Sequence, residues 1–395
     1  MKQIALGALI AAPLACTPPD SSDEPRWVVD DAFGVPLADL DPQWRARFDS
    51  GDVAFELPFR EADGLGPVYI RQSCAGCHGD DVRGPGAVTK MAPVDAGVML
   101  PHGNSQRPYV AAGAVQPVTV PDGVEVILSR RLGPPVLGMG YLEAIDEAEL
   151  VRVAAEQAAR DDGVAGVLHR VPWQSQENPD RRFHAYAPGD EELVGRFGLK
   201  ARIATLDEFV ADALAGDMSI TSPLRPDELP NPDMQLDDLR PGVDLDADTL
   251  NLMADYLRML EIPNRPPDEA GAALFEEVGC ATCHVPSLRT RADYPIEALA
   301  DIDAPVFTDM LLHDMGDGLA DGVVELGASG RQWRTAPLVG LRFQRAYLHD
   351  GRAPDLRTAI LEHEGPGSEA NGAVAAYEAL SDADAEALLT FVESR

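Results

Sequence analysis

Cys74-Ala-Gly-Cys77-His78 and Cys280-Ala-Thr-Cys283-His284 are two copies of one pattern in a chain of 395 residues. Two thiols three positions apart can form thioethers to the two vinyl groups of one porphyrin, and the adjoining imidazole then reaches the iron as its proximal ligand. A redox dithiol, a structural disulfide or half of a zinc site would each account for one Cys-x-x-Cys, but each leaves the following histidine as a coincidence. The pattern predicts two covalently bound c-type haems, attached through Cys74, Cys77, Cys280 and Cys283 and ligated by His78 and His284.

Working outward, each motif has a helical stretch ahead of it and is expected to head its own domain. Asp41-Pro42 opens a stretch with Trp44 and Phe48 at helical spacing. Before the second motif, Asp268 to Val278 places Ala272, Phe275 and Val278 on one face, with acids near the start as a helix N-terminus prefers. Further helices are predicted over Thr205 to Ala215, Asp246 to Leu260 and Ser381 to Val392, while Ser222 to Pro241 reads as Pro- and Asp-rich loop and Pro263 to Pro267 as a linker. Strand signals are scarce, the best being a short hairpin from Val115 to Leu128 around Pro121-Asp-Gly123. The expected fold is mainly α, with two cytochrome c-like haem domains and extensive loops. Its expected divisions are 1–16 (signal peptide and lipidation site), 17–35 (flexible acidic tether), 36–262 (N-terminal haem domain with a helical extension) and 263–395 (C-terminal haem domain). Gly133-Pro134-Pro135-Val136-Leu137-Gly138 echoes Thr335-Ala336-Pro337-Leu338-Val339-Gly340, as a duplication would.

The N-terminus places these domains outside the cytoplasm. Met1-Lys2, an apolar stretch from Ile4 to Ala12 and Pro13-Leu14-Ala15 before Cys16 read as a short secretory signal ending at a lipidation site, although leucine would be usual where Pro13 stands. Plain signal cleavage is the alternative. Thr17 to Pro25 is small, polar and acidic, the composition of a tether. A periplasmic protein, anchored to the outer membrane if Cys16 is lipidated, is the expected outcome. The formal charge of −34 argues against nucleic acid and anionic membrane surfaces and suits basic partners. A solvated surface adapted to salt explains it equally well.

The strings Trp333-Arg-Thr-Ala-Pro-Leu338, Tyr347-Leu-His-Asp-Gly-Arg-Ala353, Thr358-Ala-Ile-Leu-Glu-His363, Phe307-Thr-Asp-Met-Leu-Leu-His-Asp-Met-Gly316 and Gly195-Arg-Phe-Gly-Leu-Lys200 resemble the di-haem oxidoreductase family. That family is related to bacterial di-haem cytochrome c peroxidases and to the methylamine-utilisation di-haem enzyme. The resemblance runs from about Leu65 to the C-terminus. It implies two haem domains facing each other, one haem a reaction centre and the other an electron relay. In the peroxidases the relay haem takes a methionine fourteen residues after the histidine of the His-Asp-Gly turn, and here that position is His363. The resemblance therefore implies His284 and His363 as a bis-imidazole pair, with a lower potential than a His/Met site. A surface histidine is the alternative for His363, and His349 is read as structural.

Peroxide chemistry at the first haem needs a group that moves a proton between oxygens. Glu143, following the Pro-Pro-Val-Leu-Gly turn, is the candidate, its pKa expected to rise beside an apolar haem face. An exposed acid at a helix start is the plain alternative. Met139, His102 and Met91 could each close the sixth position, although packing explains a Met or His among loops more simply. His313 and Met315 are expected near one haem, and Trp333 near the surface between domains, where it could relay an electron or simply pack. Calcium between the domains is an unsupported possibility: Arg160-Asp-Asp-Gly-Val-Ala-Gly166 is too short to supply six oxygens by itself, and Asp244-Leu-Asp-Ala-Asp248 reads as a helix cap. The functional expectation is an exported di-haem enzyme that reduces hydrogen peroxide, fed by a small redox protein or a quinol-linked donor. An oxygen-activating oxidase of an organic or thiol substrate, and a di-haem electron carrier without catalysis, are the other readings.

Overall fold

The computed structural model describes residues 34–79, 86–95, 97–111, 116–233, 242–263 and 265–395. The expected signal, Cys16 and most of the tether lie outside the described residues.

Side-chain caps set the helix starts. In α1 (Pro42–Glu56) the Asp41 carboxylate accepts from the Gln43 and Trp44 amides and Pro42 occupies the first turn, where a missing N–H costs nothing. The short α2 (Met139–Ala144) and α3 (Glu147–Ala158) follow, the latter capped by Asp146. Thr205 caps α4 (Leu206–Ala213), Asp246 caps α5 (Ala247–Met259) and Asp268 caps α6 (Glu269–Glu277). Two helices with weak sequence signals, α7 (Leu356–Leu361) and α8 (Asn371–Glu378), precede α9 (Asp382–Glu393), which Ser381 caps. Asp246 thus takes the capping role expected of the Asp244–Asp248 stretch.

Strand pairing is local and small, in five two-stranded antiparallel sheets among the described residues. The strands are β1 (Val68–Tyr69), β2 (Ala87–Pro93), β3 (Tyr109–Val110), β4 (Val126–Leu132), β5 (Arg170–Val171), β6 (Leu193–Val194), β7 (Leu288–Arg289), β8 (Asp303–Ala304), β9 (Leu312–Asp314) and β10 (Gln332–Arg334). The longest pair is β2 with β4, in register from Ala87 opposite Leu132 to Pro93 opposite Val126. The expected hairpin is therefore corrected. The turn at Pro121–Gly123 forms, with the Val124 amide bonding to the Pro121 carbonyl, but among the described residues before it Val118 pairs with Arg107 and none pairs with β4. Pro117 and Pro121 have no N–H to give a ladder, so β4 takes β2 as its partner.

Helices α1, α4 and α5 build the larger core around Phe48, Phe55, Leu206, Leu250 and Tyr256, and Cys74 and Ala75 pack against it. Leu288, Ile296, Val306 and Leu311 from the C-terminal third join the same core. A second core of Phe275, Phe307, Leu388 and Phe391 joins α6 to α9 and receives Cys280, Ala281 and Tyr347. The expected linker after Ile262 is packed rather than free: Arg265 is buried and its guanidinium donates to the Pro305 and Leu338 carbonyls. The sequence echo also has a structural counterpart. Gly138 and Gly340 both adopt positive φ (70° and 65°) just before a helical turn, a conformation glycine alone takes freely. A Cβ on Gly340 would lie 3.0 Å from Leu137, so the two echoing segments meet.

Candidate haem centres

The first motif folds as a tight turn, with the Cys77 and His78 amides both donating to the Cys74 carbonyl. His78 Nδ1 lies 2.9 Å from the Pro134 carbonyl oxygen. A carbonyl can only accept, so Nδ1 carries the hydrogen and Nε2 the lone pair, the tautomer a metal ligand requires. Burial depresses His78 to about 4, which keeps it neutral. The chain comes very close here, since a Cβ on Gly133 would stand 2.9 Å from the His78 ring.

The second motif repeats this arrangement. The His284 amide donates to the Cys280 carbonyl, and His284 Nδ1 lies 3.1 Å from the Phe307 carbonyl oxygen, fixing the same tautomer. Phe307 holds φ at 50°, a strained value for an aromatic residue. Burial, and then the nearby imidazole of His363, lower His284 to about 4. His363, just past α7, is partly buried, with Nδ1 2.6 Å from the Ala359 carbonyl, which again leaves the lone pair on Nε2. Burial pushes the thiols of Cys74 and Cys280 up to about 12 and that of Cys77 to about 11. That is opposite to the depressed values of a redox dithiol. The donor set fits haem: two thiols and one neutral imidazole per motif, each imidazole oriented by a backbone carbonyl.

His313 sits beside the second motif, with its Nδ1 3.7 Å from Cys283 Sγ. Asp309 at 2.8 Å and Glu369 at 2.7 Å face its two ring nitrogens, so both must donate. Burial opposes the charge, yet these partners raise His313 to about 12 and hold it as an imidazolium. Cys283, Asp309 and His313 are the one group of potential ligands close enough to share an ion among the described residues, but His313 is committed to carboxylates. Gln157 on α3 ties this corner to the rest of the chain, donating to the Thr282 carbonyl and to Asp309 at 2.8 Å each. The Met315 backbone forms an isolated bridge with Ser368.

Glu143 requires a correction. Burial favours its neutral form, but Arg258 donates to both of its oxygens, at 2.6 and 3.1 Å, and the carboxyl is held below its ordinary range. Tyr294 Oη and the Leu206 amide add donors at 2.8 Å each. A carboxylate with every lone pair occupied is an anchor, not a proton carrier with a raised pKa. Arg258 also binds Asp207 and Asp255 and is almost fully enclosed. Replacing it by methionine leaves Glu143 without its cation, whereas Asp207 keeps His184 and Asn178 and Asp255 keeps Arg47 and Arg182; breaking such a buried pair costs roughly 3–5 kcal/mol. Thermal denaturation of Arg258→Met is expected to show that loss, and an unchanged midpoint would refute the anchoring role. Met91 and Met139 are buried among Val68 and Val118 and among the larger core, respectively. His102 has a buried Nδ1 without a partner among the described residues.

Trp333 lies on β10 directly opposite His313 on β9. Its indole donates to the Leu319 carbonyl at 2.9 Å, and its ring stacks on His349 with centroids 3.9 Å apart at 17°. Lys200 Nζ, held by the Ser329 and Gln332 carbonyls, stands 4.0 Å from the ring centroid, and Arg131 stands 5.3 Å away. The His349 carbonyl accepts from the Leu132 amide, next to the Gly133-Pro134 segment that holds His78. His349 is therefore a packing and backbone partner between the two motifs. Lys200 and Arg258 were not singled out by the sequence reading, because their partners are distant along the chain.

Residues 119–395 match the family described as "Di-haem oxidoreductase, putative peroxidase". The chain belongs to this family of di-haem oxidoreductases, and it is an enzyme of that class. Among solved structures it is similar to the diheme peroxidase BthA from Burkholderia thailandensis, at 16% identity over 89% of this chain and 86% of that one, with a TM-score of 0.42. It is also similar to hydrazine synthase from Kuenenia stuttgartiensis, at 14% identity over 98% and 100% of the two chains, with a TM-score of 0.36. No curated protein sequence matches the chain.

Proposed function

We propose that this oxidoreductase carries two covalently bound c-type haems, works outside the cytoplasm in two haem domains meeting near residue 263, and reduces hydrogen peroxide. The observation that supports this reading best is the identical treatment of His78 and His284, each neutral and each bonded through Nδ1 to a carbonyl, in a member of a di-haem family. When bound, the haem at Cys280–His284 would accept electrons from a donor and the haem at Cys74–His78 would pass them to peroxide. His363 would join His284 in holding that haem, supported by its free Nε2 and its closeness to the His284 imidazole. The acidic chain suits a small basic redox protein as donor.

Protein atoms run continuously from Pro134 through Leu132 and the His349–Trp333 stack to His313 beside Cys283. We assign the inter-haem electron route to this chain of contacts. Lys200 and Arg131 stand over the indole and are themselves paired with Asp321 and Glu325, so the charges around the ring balance. Trp333 is the aromatic bridge of this route. Trp333→Phe is expected to slow inter-haem transfer, read by rapid mixing with reductant, while both haems stay attached. Equal rates would remove Trp333 from the route.

The function itself is tested by the resting spectrum together with peroxide turnover. One high-spin ferric site and oxidation of two equivalents of a reduced one-electron donor per peroxide are expected. Two low-spin haems that bind neither cyanide nor carbon monoxide, with no peroxide consumed, would make the protein an electron carrier.

A further inference from the structure

His313 enters the proposed function only as a contact, yet several parts of the fold converge to fix its charge. It sits on β9, where Leu312 exchanges backbone bonds with Val167 and β10 pairs along the strand. Asp309 Oδ2 faces Nε2 at 2.8 Å and Glu369 Oε2 faces Nδ1 at 2.7 Å. Both acids also accept from other donors: the Leu311 amide at 2.9 Å and Gln157 Nε2 at 2.8 Å on Asp309, and the Asp314 and Ala165 amides at 3.0 and 3.1 Å on Glu369. A ring between two such carboxylates must donate from both nitrogens, and it then carries a full positive charge.

The surrounding backbone is shaped to this arrangement. Met310, next to Asp309, holds φ at 60°, in the left-handed region that favours glycine, and its amide donates to the Thr308 hydroxyl at 3.0 Å. A Cβ on Gly166 would fall 2.7 Å from His313 Nε2 and 2.6 Å from Gln157 Oε1, so the chain closes over this corner only with glycine there. Asp309 and His313 are 0% and 2% exposed, and water screens such charges little. His313 Nδ1 lies 3.7 Å from Cys283 Sγ, the atom through which a thioether would hold the porphyrin. The cation is thereby set at the haem's attachment point, whichever face of the ring a ligand uses.

We propose that His313 is a fixed cation that keeps up the reduction potential of the second haem by offsetting the two carboxylates beside its attachment point, an inference that rests on the di-haem reading above. Reduction adds one electron to the iron and moves no proton through His313, so the haem's charge falls by one unit within unchanged surroundings. A cation nearby favours the reduced form, and an uncompensated carboxylate favours the oxidised one. Two imidazole ligands, His284 and His363, would already hold the potential low. Without the charge on His313, Asp309 and Glu369 would lower it further and make the haem harder for a donor to reduce.

Redox titration of the holoprotein at neutral pH separates this role from a purely structural one, with the low-spin signal of the second haem read against the high-spin signal of the first. His313→Gln removes the charge and is expected to lower the midpoint of the second haem. Glu369→Gln removes one carboxylate while Asp309 still holds the ring, and is expected to raise it. His313→Lys keeps a cation and is expected to stay closer to wild type than His313→Gln does. The first haem should keep its midpoint in all three. A loosened haem site would instead shift both glutamine variants the same way. Haem is counted in every sample as the pyridine haemochrome. Loaded glutamine variants that shift together, either of them with the wild-type midpoint, or a His313→Lys midpoint as low as that of His313→Gln, overturn the proposal. If His313→Gln loses its haem, an unchanged or lowered midpoint in Glu369→Gln overturns it. A wild-type protein lacking two haems overturns the di-haem reading itself, and is recognised separately by the haem count.

Discussion

Wild-type protein from a host that matures c-type cytochromes is expected to retain two haems through acid–acetone extraction, and the Cys280→Ser/Cys283→Ser double variant only one. Acid–acetone strips porphyrin held by ligation alone, so only thioether-linked haem survives. Each motif packs against its own hydrophobic cluster, Cys74 and Ala75 on one and Cys280 and Ala281 on the other, so loss of one attachment leaves the other turn supported. The reciprocal Cys74→Ser/Cys77→Ser variant is expected to keep the haem at His284. Intact mass spectrometry reads both results. A wild-type mass carrying one haem or none would remove the basis of the proposed function.

His363→Met is expected to raise the potential of the second haem by some part of the roughly 0.8 V that axial ligands span. Imidazole donates more electron density to ferric iron than a thioether does, so replacing one of two nitrogen ligands destabilises the oxidised state. In the wild type the His284 haem should be low-spin without the near-infrared band of methionine sulfur, and His363→Met should acquire that band. The Nδ1 hydrogen of His363 is held by the Ala359 carbonyl, so only Nε2 is available to a metal. His349→Ala is expected to leave the coordination intact, since that ring is engaged with Trp333. If His363→Ala changes neither spin state nor potential, His363 is not the ligand.

Both experiments concern residues visible in the sequence, and the reason is locality. A Cys-x-x-Cys-His turn closes on itself through bonds to the Cys74 or Cys280 carbonyl, so five consecutive residues specify it. The same holds for the helix starts at Asp41, Thr205, Asp246, Asp268 and Ser381, where a side chain caps amides two or three positions ahead. Short helices such as α7 and α8 carried too few periods to be read, and β4 chose its partner from more than thirty residues upstream because the nearer segment lacks amide hydrogens at Pro117 and Pro121.

Electrostatics was decided by tertiary structure alone. Glu143 sits where an acid was expected, but its character depends on Arg258, 115 positions away, which converts a candidate proton donor into a buried anchor. Asp217 looks like an ordinary helix-end aspartate in Leu-Ala-Gly-Asp-Met until the π-helical turn Leu214–Met218 sets its backbone carbonyl against the Ile70 and Arg71 amides ahead of the first motif. The stacking of Trp333 on His349, with Lys200 above the ring, joins three strings that the sequence displays separately. Residue type and spacing dictate covalent and capping chemistry because those act within one turn of chain. A carboxylate's pKa and an indole's ability to carry charge depend on which distant groups fold against them, and only the packed chain supplies those groups.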